Sequence, residues 1–365
     1  MAYTTIDDPA QHFNTVLFTG DIEDSDGTSH DQAVTGVGFT PDWVWHKCRS
    51  HANQHLIVDS VRGSGGSPTQ MLFLSSGDSE NEKNTNTNGA IKSIDSDGFT
   101  VTSGNDSSSK SNNAGANGRT YVDWCWKAGG SASSNTDGSA TSNVSANTTA
   151  GFSIVSYTGN ETAKTIGHGL GAIPQIVITK NRSTTGQWAM YNRNLGANKN
   201  LHLETTDAQA SSSAVFNDTE STSSVFSVGS AVMTNDNGSN FIAYCFAEKK
   251  GYSKFGSYPG NGNADGPFIY TGFKPAWLMI KGYAGTDDWI MMDNKRSGFN
   301  SENEYLDANN GTAESDGSGN IDFLSNGFKI KSTFSSLNYS TGEYIYLAFA
   351  ESPFVNSNGV PNNAR

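Results

Sequence analysis

The most obvious chemistry in this chain lies in four closely spaced residues, His46, Cys48, His51 and His55. They fall on both arms and the tip of a hairpin between Trp43-Val44-Trp45 and Leu56-Ile57-Val58, where imidazole and thiolate could meet on a transition metal. The spacing matches no strong zinc pattern, and ordinary polar hairpin residues explain the same letters. Asp21, Glu23, Asp24 and Asp26 before Gly27 resemble the start of a calcium loop, but the distal bidentate glutamate is missing. A solvated acidic turn is the simpler reading. A glycosidase would need two carboxylates facing one sugar bond. The nearest runs, Glu80-Asn81-Glu82 and Glu302-Asn303-Glu304, sit in polar stretches without that spacing. Neither a Gly-x-Ser-x-Gly elbow nor a phosphate-cradling glycine loop is present. The expectation is a protein that is not an enzyme, with no catalytic, cofactor-binding or metal residue assigned.

Trp188 and Trp289 could be sugar-stacking platforms, but each sits at a fixed place in a recurring pattern, which points to core packing. From Pro275 the pattern runs to Lys281, Trp289 and Asp293; from Pro174 to Lys180, Trp188 and Asn192; from Pro41 to Lys47, His55 and Asp59. The spacing is the same in all three, without gaps, so the sequence reads as an internal repeat. The counterparts of His46 are Thr179 and Ile280, which weakens the metal reading further. Asp59 with Arg62 and Asp293 with Arg296 recur after the second hairpin strand and read as turn-fixing pairs, worth little if exposed.

The elements that would position these residues are short strands. Each copy enters through Gly-x-x-Pro (Gly38 to Pro41, Gly171 to Pro174, Gly272 to Pro275) and closes on an apolar strand such as Phe241-Ile242-Ala243-Tyr244-Cys245-Phe246. No stretch keeps a helical apolar period, and turns such as Asp97-Gly98 and Asn326-Gly327 separate the runs. The fold class expected is all-β, with three repeated β-sandwich units of jelly-roll, lectin-like type; a β-barrel is the alternative. Continuous runs such as Ala276-Trp277-Leu278-Met279-Ile280 predict central strands covered on both faces. The expected division is an N-terminal arm at 1–14 and a first unit at 15–127 with long polar loops. A flexible linker at 128–150, a second unit at 151–250, a third at 251–354 and a tail at 355–365 follow. Units two and three should be rigidly coupled, with the first unit on the Gly/Ser/Asn-rich linker.

The 365 residues suffice for several cores, and 39 aromatics spaced in apolar runs argue against disorder. A net charge of −13 without basic clusters predicts no nucleic-acid partner. No apolar run is long enough to span a membrane, and the N-terminus lacks the pattern of an export signal, so no membrane insertion is expected. Cys48, Cys125 and Cys245 read as reduced, buried thiols, consistent with folding in a reducing cytoplasm.

Several signatures together are more specific than any one: Thr4-Thr5-Ile6-Asp7-Asp8-Pro9, Gly36-Val37-Gly38-Phe39-Thr40-Pro41-Asp42-Trp43, Asp59-Ser60-Val61-Arg62-Gly63, Gly251-Tyr252-Ser253-Lys254-Phe255-Gly256 and Asp322-Phe323-Leu324-Ser325-Asn326-Gly327. As a set they resemble a family of structural proteins of tailed bacteriophages, common in marine and cyanobacterial phages, described as tail, tail-fibre or lectin-like (concanavalin A-like) virion proteins. The resemblance covers nearly the whole chain and transfers no catalytic or ligand residue. It implies a virion component assembled in the host cytoplasm, acting in host attachment. Its expected partners are other virion proteins, further copies of itself and host surface glycans. A capsid decoration protein and a glycan depolymerase are the alternatives. The arm at 1–14, or the first unit, is the expected docking element.

Overall fold

The computed structural model describes residues 3–22, 30–63, 69–83, 90–102, 115–317 and 319–362. The acidic run from Glu23 to Gly27 and most of the polar loop expected near Ser103 lie outside them.

The chain is an all-β assembly of antiparallel sheets paired into sandwiches. In its first third, β1 (Phe13–Thr19), β2 (Asp31–Thr35), β3 (Trp43–Cys48), β4 (Leu56–Asp59), β5 (Thr69–Phe73), β6 (Asn81–Lys83), β7 (Ala90–Asp95), β8 (Gly98–Thr102) and β9 (Thr120–Trp126) form two sheets. The large sheet has the order β1-β9-β3-β4-β5-β6, and the small one β2-β8-β7. The middle third holds β10 (Ser133–Asn135), β11 (Ser142–Asn147), β12 (Phe152–Thr158), β13 (Lys164–Gly167), β14 (Ile176–Asn181), β15 (Ala189–Asn192), β16 (Lys199–His202), β17 (Ala210–Ser211), β18 (Val225–Val228) and β19 (Asn240–Phe246). Here the large sheet runs β10-β11-β12-β19-β14-β15-β16-β17 and the small one is β13-β18. The last third has β20 (Ser253–Pro259), β21 (Phe268–Tyr270), β22 (Phe273–Gly282), β23 (Trp289–Asp293), β24 (Leu306–Asp307), β25 (Ile321–Leu324), β26 (Gly327–Ile330) and β27 (Glu343–Pro353). Its sheets run β20-β27-β22-β23-β24 and β21-β26-β25. The orders β1-β9-β3-β4-β5, β12-β19-β14-β15-β16 and β20-β27-β22-β23-β24 are the same path: first strand, last strand, then the hairpin.

Strand alternation explains where the cores lie. In β3, Val44 packs into the first sandwich, between its large and small sheets, while Trp43 and Trp45 point the other way. Val177 and Leu278 likewise fill their own sandwiches, and Ile176, Ile178, Trp277 and Met279 face out of them. These outward faces meet one another. They form a fourth core shared by all three large sheets, in which Trp43 stacks 4.7 Å from Tyr244 and 5.9 Å from Phe246. Trp126 lies 5.6 Å from Trp277, and Phe246 lies 5.8 Å from Phe349.

Two expectations need correction. Residues 128–150 are no free linker: β11 pairs with β12 from Asn143 to Asn147 and β10 with β11, with Val144 and Ala150 buried. The terminal arm is also folded back on the third sandwich. Ile6 is buried, Tyr3 Oη donates to Gly272 O at 2.9 Å, and Asp7 accepts from Ser357 N at 2.6 Å. The first sandwich is therefore joined to the second through paired strands rather than a free tether. Hydrogen exchange should find amides of Ser142–Asn147 protected to the level of β12; free-chain exchange across this segment would contradict the pairing.

Candidate functional site

The same alternation disposes of the metal reading. His46 faces the first sandwich's own core, where its Nδ1 lies 2.8 Å from Asp123 Oδ1 and its ring stacks on Tyr121. Burial raises the Asp123 carboxyl above its ordinary range. His55 faces the shared core on the opposite side of the sheet, accepting from Trp45 Nε1 at 2.8 Å. His51 is exposed and Cys48 is buried beside Ser50. The four do not converge, and among the described residues no group of three or more His, Cys, Asp or Glu is placed to hold a metal ion. Trp188 and Trp289 are fully buried and so offer no platform for a sugar.

What the recurring pattern builds is the set of junctions between sandwiches. Lys180 is buried, and its Nζ donates to Gly77 O of the first sandwich at 2.8 Å and to Gly186 O at 2.5 Å. Lys281 reaches Thr206 O of the second at 2.8 Å as well as Asp287 O, and Lys47 reaches Gly311 O of the third at 3.3 Å. The ring residue eight positions on repeats the direction. Trp188 Nε1 donates to Phe73 O at 3.2 Å, Trp289 Nε1 to His202 O at 3.0 Å, and His55 Nε2 bonds Asp307 O at 3.1 Å. Second grips first, third grips second, first grips third. The three sandwiches close into a ring. Burial pushes each lysine down to about 8, against weaker opposing pull from nearby carboxylates.

The Asp-Arg pairs also belong to these junctions. Arg62 Nε lies 2.5 Å from Asp59 Oδ2 with both side chains fully buried; Arg62 Nη1 meets Glu80 at 2.9 Å and Glu80 meets Arg182 of the second sandwich at 2.7 Å. Tyr244 Oη donates to Asp59 Oδ2 at 2.7 Å. Arg296, Asp293, Glu314 and Arg49 repeat this chain between third and first, with Trp124 Nε1 donating to Asp293 at 3.0 Å. Among the described residues, the junction between second and third has no such ion chain. Backbone bonds from Glu80 to Arg182, Glu314 to Arg49 and Gln209 to Tyr283 mark the matching places. Asn192 and Leu195 stand there where Asp59 and Arg62 stand in the first sandwich. The sequence reads these pairs as turn-fixing and worth little if exposed; they are fully buried, and burial makes them costly to break.

Sequence reasoning did not find a surface cleft of about 370 Å³ on the third sandwich. It lies between the β22–β23 hairpin and the turns after the short helix Ser335–Asn338, and Asp287, Ser335, Tyr339, Thr341, Glu343 and Tyr344 line it. Tyr339 is 59% exposed, and Tyr344 Oη accepts from Tyr339 N at 2.7 Å, fixing the turn. Tyr283 Oη donates to Glu343 Oε2 at 2.9 Å. Burial raises the Asp287 carboxyl, with the like charge of Asp288 adding to the shift. Carboxylates that accept hydroxyl protons beside an exposed ring can hold a polyhydroxylated ligand.

A protein-family profile described as Domain of unknown function (DUF7483) matches residues 8–353. The chain belongs to this family. No curated protein and no solved structure matches the chain. The match takes in all three sandwiches and all three junctions, so the ring lies within the segment that defines the DUF7483 family.

Two measurements check the junctions. Arg62→Leu should cost about 3–5 kcal/mol, because it leaves Asp59 charged and buried. Adding Asp59→Asn, which copies the second-to-third junction, should recover most of that loss in denaturant titrations; no recovery would contradict the assigned pairing. For the lysines, the unfolded value near 10.5 exceeds the folded value of about 8. The unfolded chain thus holds a proton that the folded state has released, and stability rises with pH through that window. Lys180→Met should flatten this rise relative to the parent protein, and an unchanged slope would exclude Lys180 as its source.

Proposed function

We propose that the protein is a structural, non-enzymatic component of a tailed-phage virion, placed on the tail or fibre and engaging host surface glycans. The observation that carries the reading is the Tyr339 cleft: an exposed ring with two carboxylates, set on a ring of sandwiches too tightly coupled to act as a flexible array. The resemblance of the sequence motifs to phage tail proteins supports the setting. Three buried thiols suit assembly in a reducing host cytoplasm before lysis. We also read the three sandwiches as copies of one unit, supported by their shared strand path and the matched lysine contacts, and further copies of the chain as partners on the particle.

A second reading, capsid decoration, gains from the folded-back arm. With Tyr3 to His12 held against the third sandwich, that segment is not extended to dock elsewhere, so attachment would use a face of the body, as a shell-bound protein does. Gold-labelled antibody on intact particles separates the two. Label at the tail supports attachment, label over the head supports decoration, and no label on any particle removes the virion reading. On a panel of host polysaccharide fragments, Tyr339→Ala should weaken binding about tenfold, equivalent to about 1.4 kcal/mol; unaltered binding would take the cleft out of the proposal.

A further inference from the structure

The three junctions differ at one more place. In each large sheet a backbone bond leads to a corresponding residue: Leu74 N to His55 O, Leu203 N to Trp188 O, and Ala308 N to Trp289 O. The next side chain then caps the ring residue's own amide in two of the three. Glu204 Oε2 accepts from Trp188 N at 3.0 Å, and Asn309 Oδ1 accepts from Trp289 N at 2.8 Å. In the first sandwich the capping position is Ser75, too short to match, and the ring residue is His55 rather than tryptophan. Two smaller side chains at one spot leave space.

A cleft of about 440 Å³ opens there, between the first and third sandwiches, lined by Ala52, Asn53, Gln54, Ser75, Gly311 and Thr312. Two buried polar atoms on residues of its lining, Asn53 Nδ2 and Ser75 Oγ, have no hydrogen-bond partner among the described residues. Buried donors of this kind are rarely left unpaired in folded proteins. The lysine below also differs. Lys180 and Lys281 bond back to their hairpin tips at Gly186 and Asp287, whereas Lys47 turns to Cys48 O and Gly311 O.

We propose that this junction binds a neutral sugar residue. Asn53 Nδ2 donates to a hydroxyl or carbonyl oxygen of the ligand, and Ser75 Oγ exchanges a second hydrogen bond with it. Among the described residues no charged side chain lines the cleft, the Lys47 ammonium is already engaged by two carbonyls, and a net charge of −13 opposes an anion. Asn53, Gln54, Ser75 and Thr312 bring hydrogen-bonding side chains that an apolar ligand would leave unmet, and the volume lies in the range of small-molecule sites. This inference deepens the glycan-contact reading but does not depend on particle location or on the Tyr339 cleft.

The test titrates the full chain with N-acetylglucosamine and galactose, with glucuronate as the charged control, by ligand-observed magnetic resonance. Saturable binding of a neutral sugar is expected. Ser75→Asn, which places here the residue found at position 309, should reduce it at least about tenfold. The same variant should melt at or above the parent temperature, because the new amide caps His55 N. Asn53→Leu should also lose binding, and Tyr339→Ala should keep it. Absence of binding to either neutral sugar, tighter binding of glucuronate, or loss in Tyr339→Ala with retention in Ser75→Asn would overturn the proposal.

Discussion

Every large sheet in this molecule buries both faces, and that constraint shapes the rest. One face covers the sandwich interior and the other contributes to the common aromatic core. A half-buried sheet would alternate apolar with polar residues. Here the central strands carry apolar residues on both faces, as in β3, β14 and β22, each buried along most or all of its length. Some polar groups pair within a sandwich, as His46 does with Asp123, and others lie where a strand end meets a neighbouring sandwich. There Lys47, Lys180 and Lys281 find the carbonyls that make their burial tolerable.

The ring is closed but not uniform. Two junctions carry an acid-arginine-glutamate-arginine chain, and the one between the second and third sandwiches uses Asn192 and Leu195. Buried ion pairs contribute little net stability against apolar replacements, but a mismatched one is severely unfavourable. Placing them at two junctions penalises any arrangement in which a sandwich docks on the wrong neighbour. The centre has its own cost, since the indole nitrogens of Trp43, Trp126 and Trp277 are buried without a partner among the described residues. Close ring contacts and the burial of three whole sheet faces offset it. The first-to-third junction is the exception in packing, where His55 and Ser75 stand beside an open cleft.

Much of this architecture could be read from the sequence. The spacing from proline to lysine to ring residue marked the hairpins, continuous apolar runs marked doubly covered strands, and the fixed register of Trp188 and Trp289 marked them as core. The targets of the lysines could not be read, because Gly77, Thr206 and Gly311 belong to loops far away in sequence and contribute only a carbonyl. The segment 128–150 misled for a physical reason. β10 and β11 lie at a sheet edge and need few apolar side chains to pair, so their Ser/Asn/Gly composition looks like that of a flexible tether. The histidine cluster failed because period-two alternation sends His46 and His55 to opposite faces. The Tyr339 cleft rests on two turns without periodicity, and nothing in their composition distinguishes them from ordinary loops.

The shared core makes a direct thermodynamic claim, that no sandwich can open without exposing the inner faces of the other two. Differential scanning calorimetry of the intact chain tests it most simply. One transition, with calorimetric and van't Hoff enthalpies in a ratio of about 1, is the predicted result. Resolved transitions, with the first sandwich melting apart from the others, would contradict the closed ring.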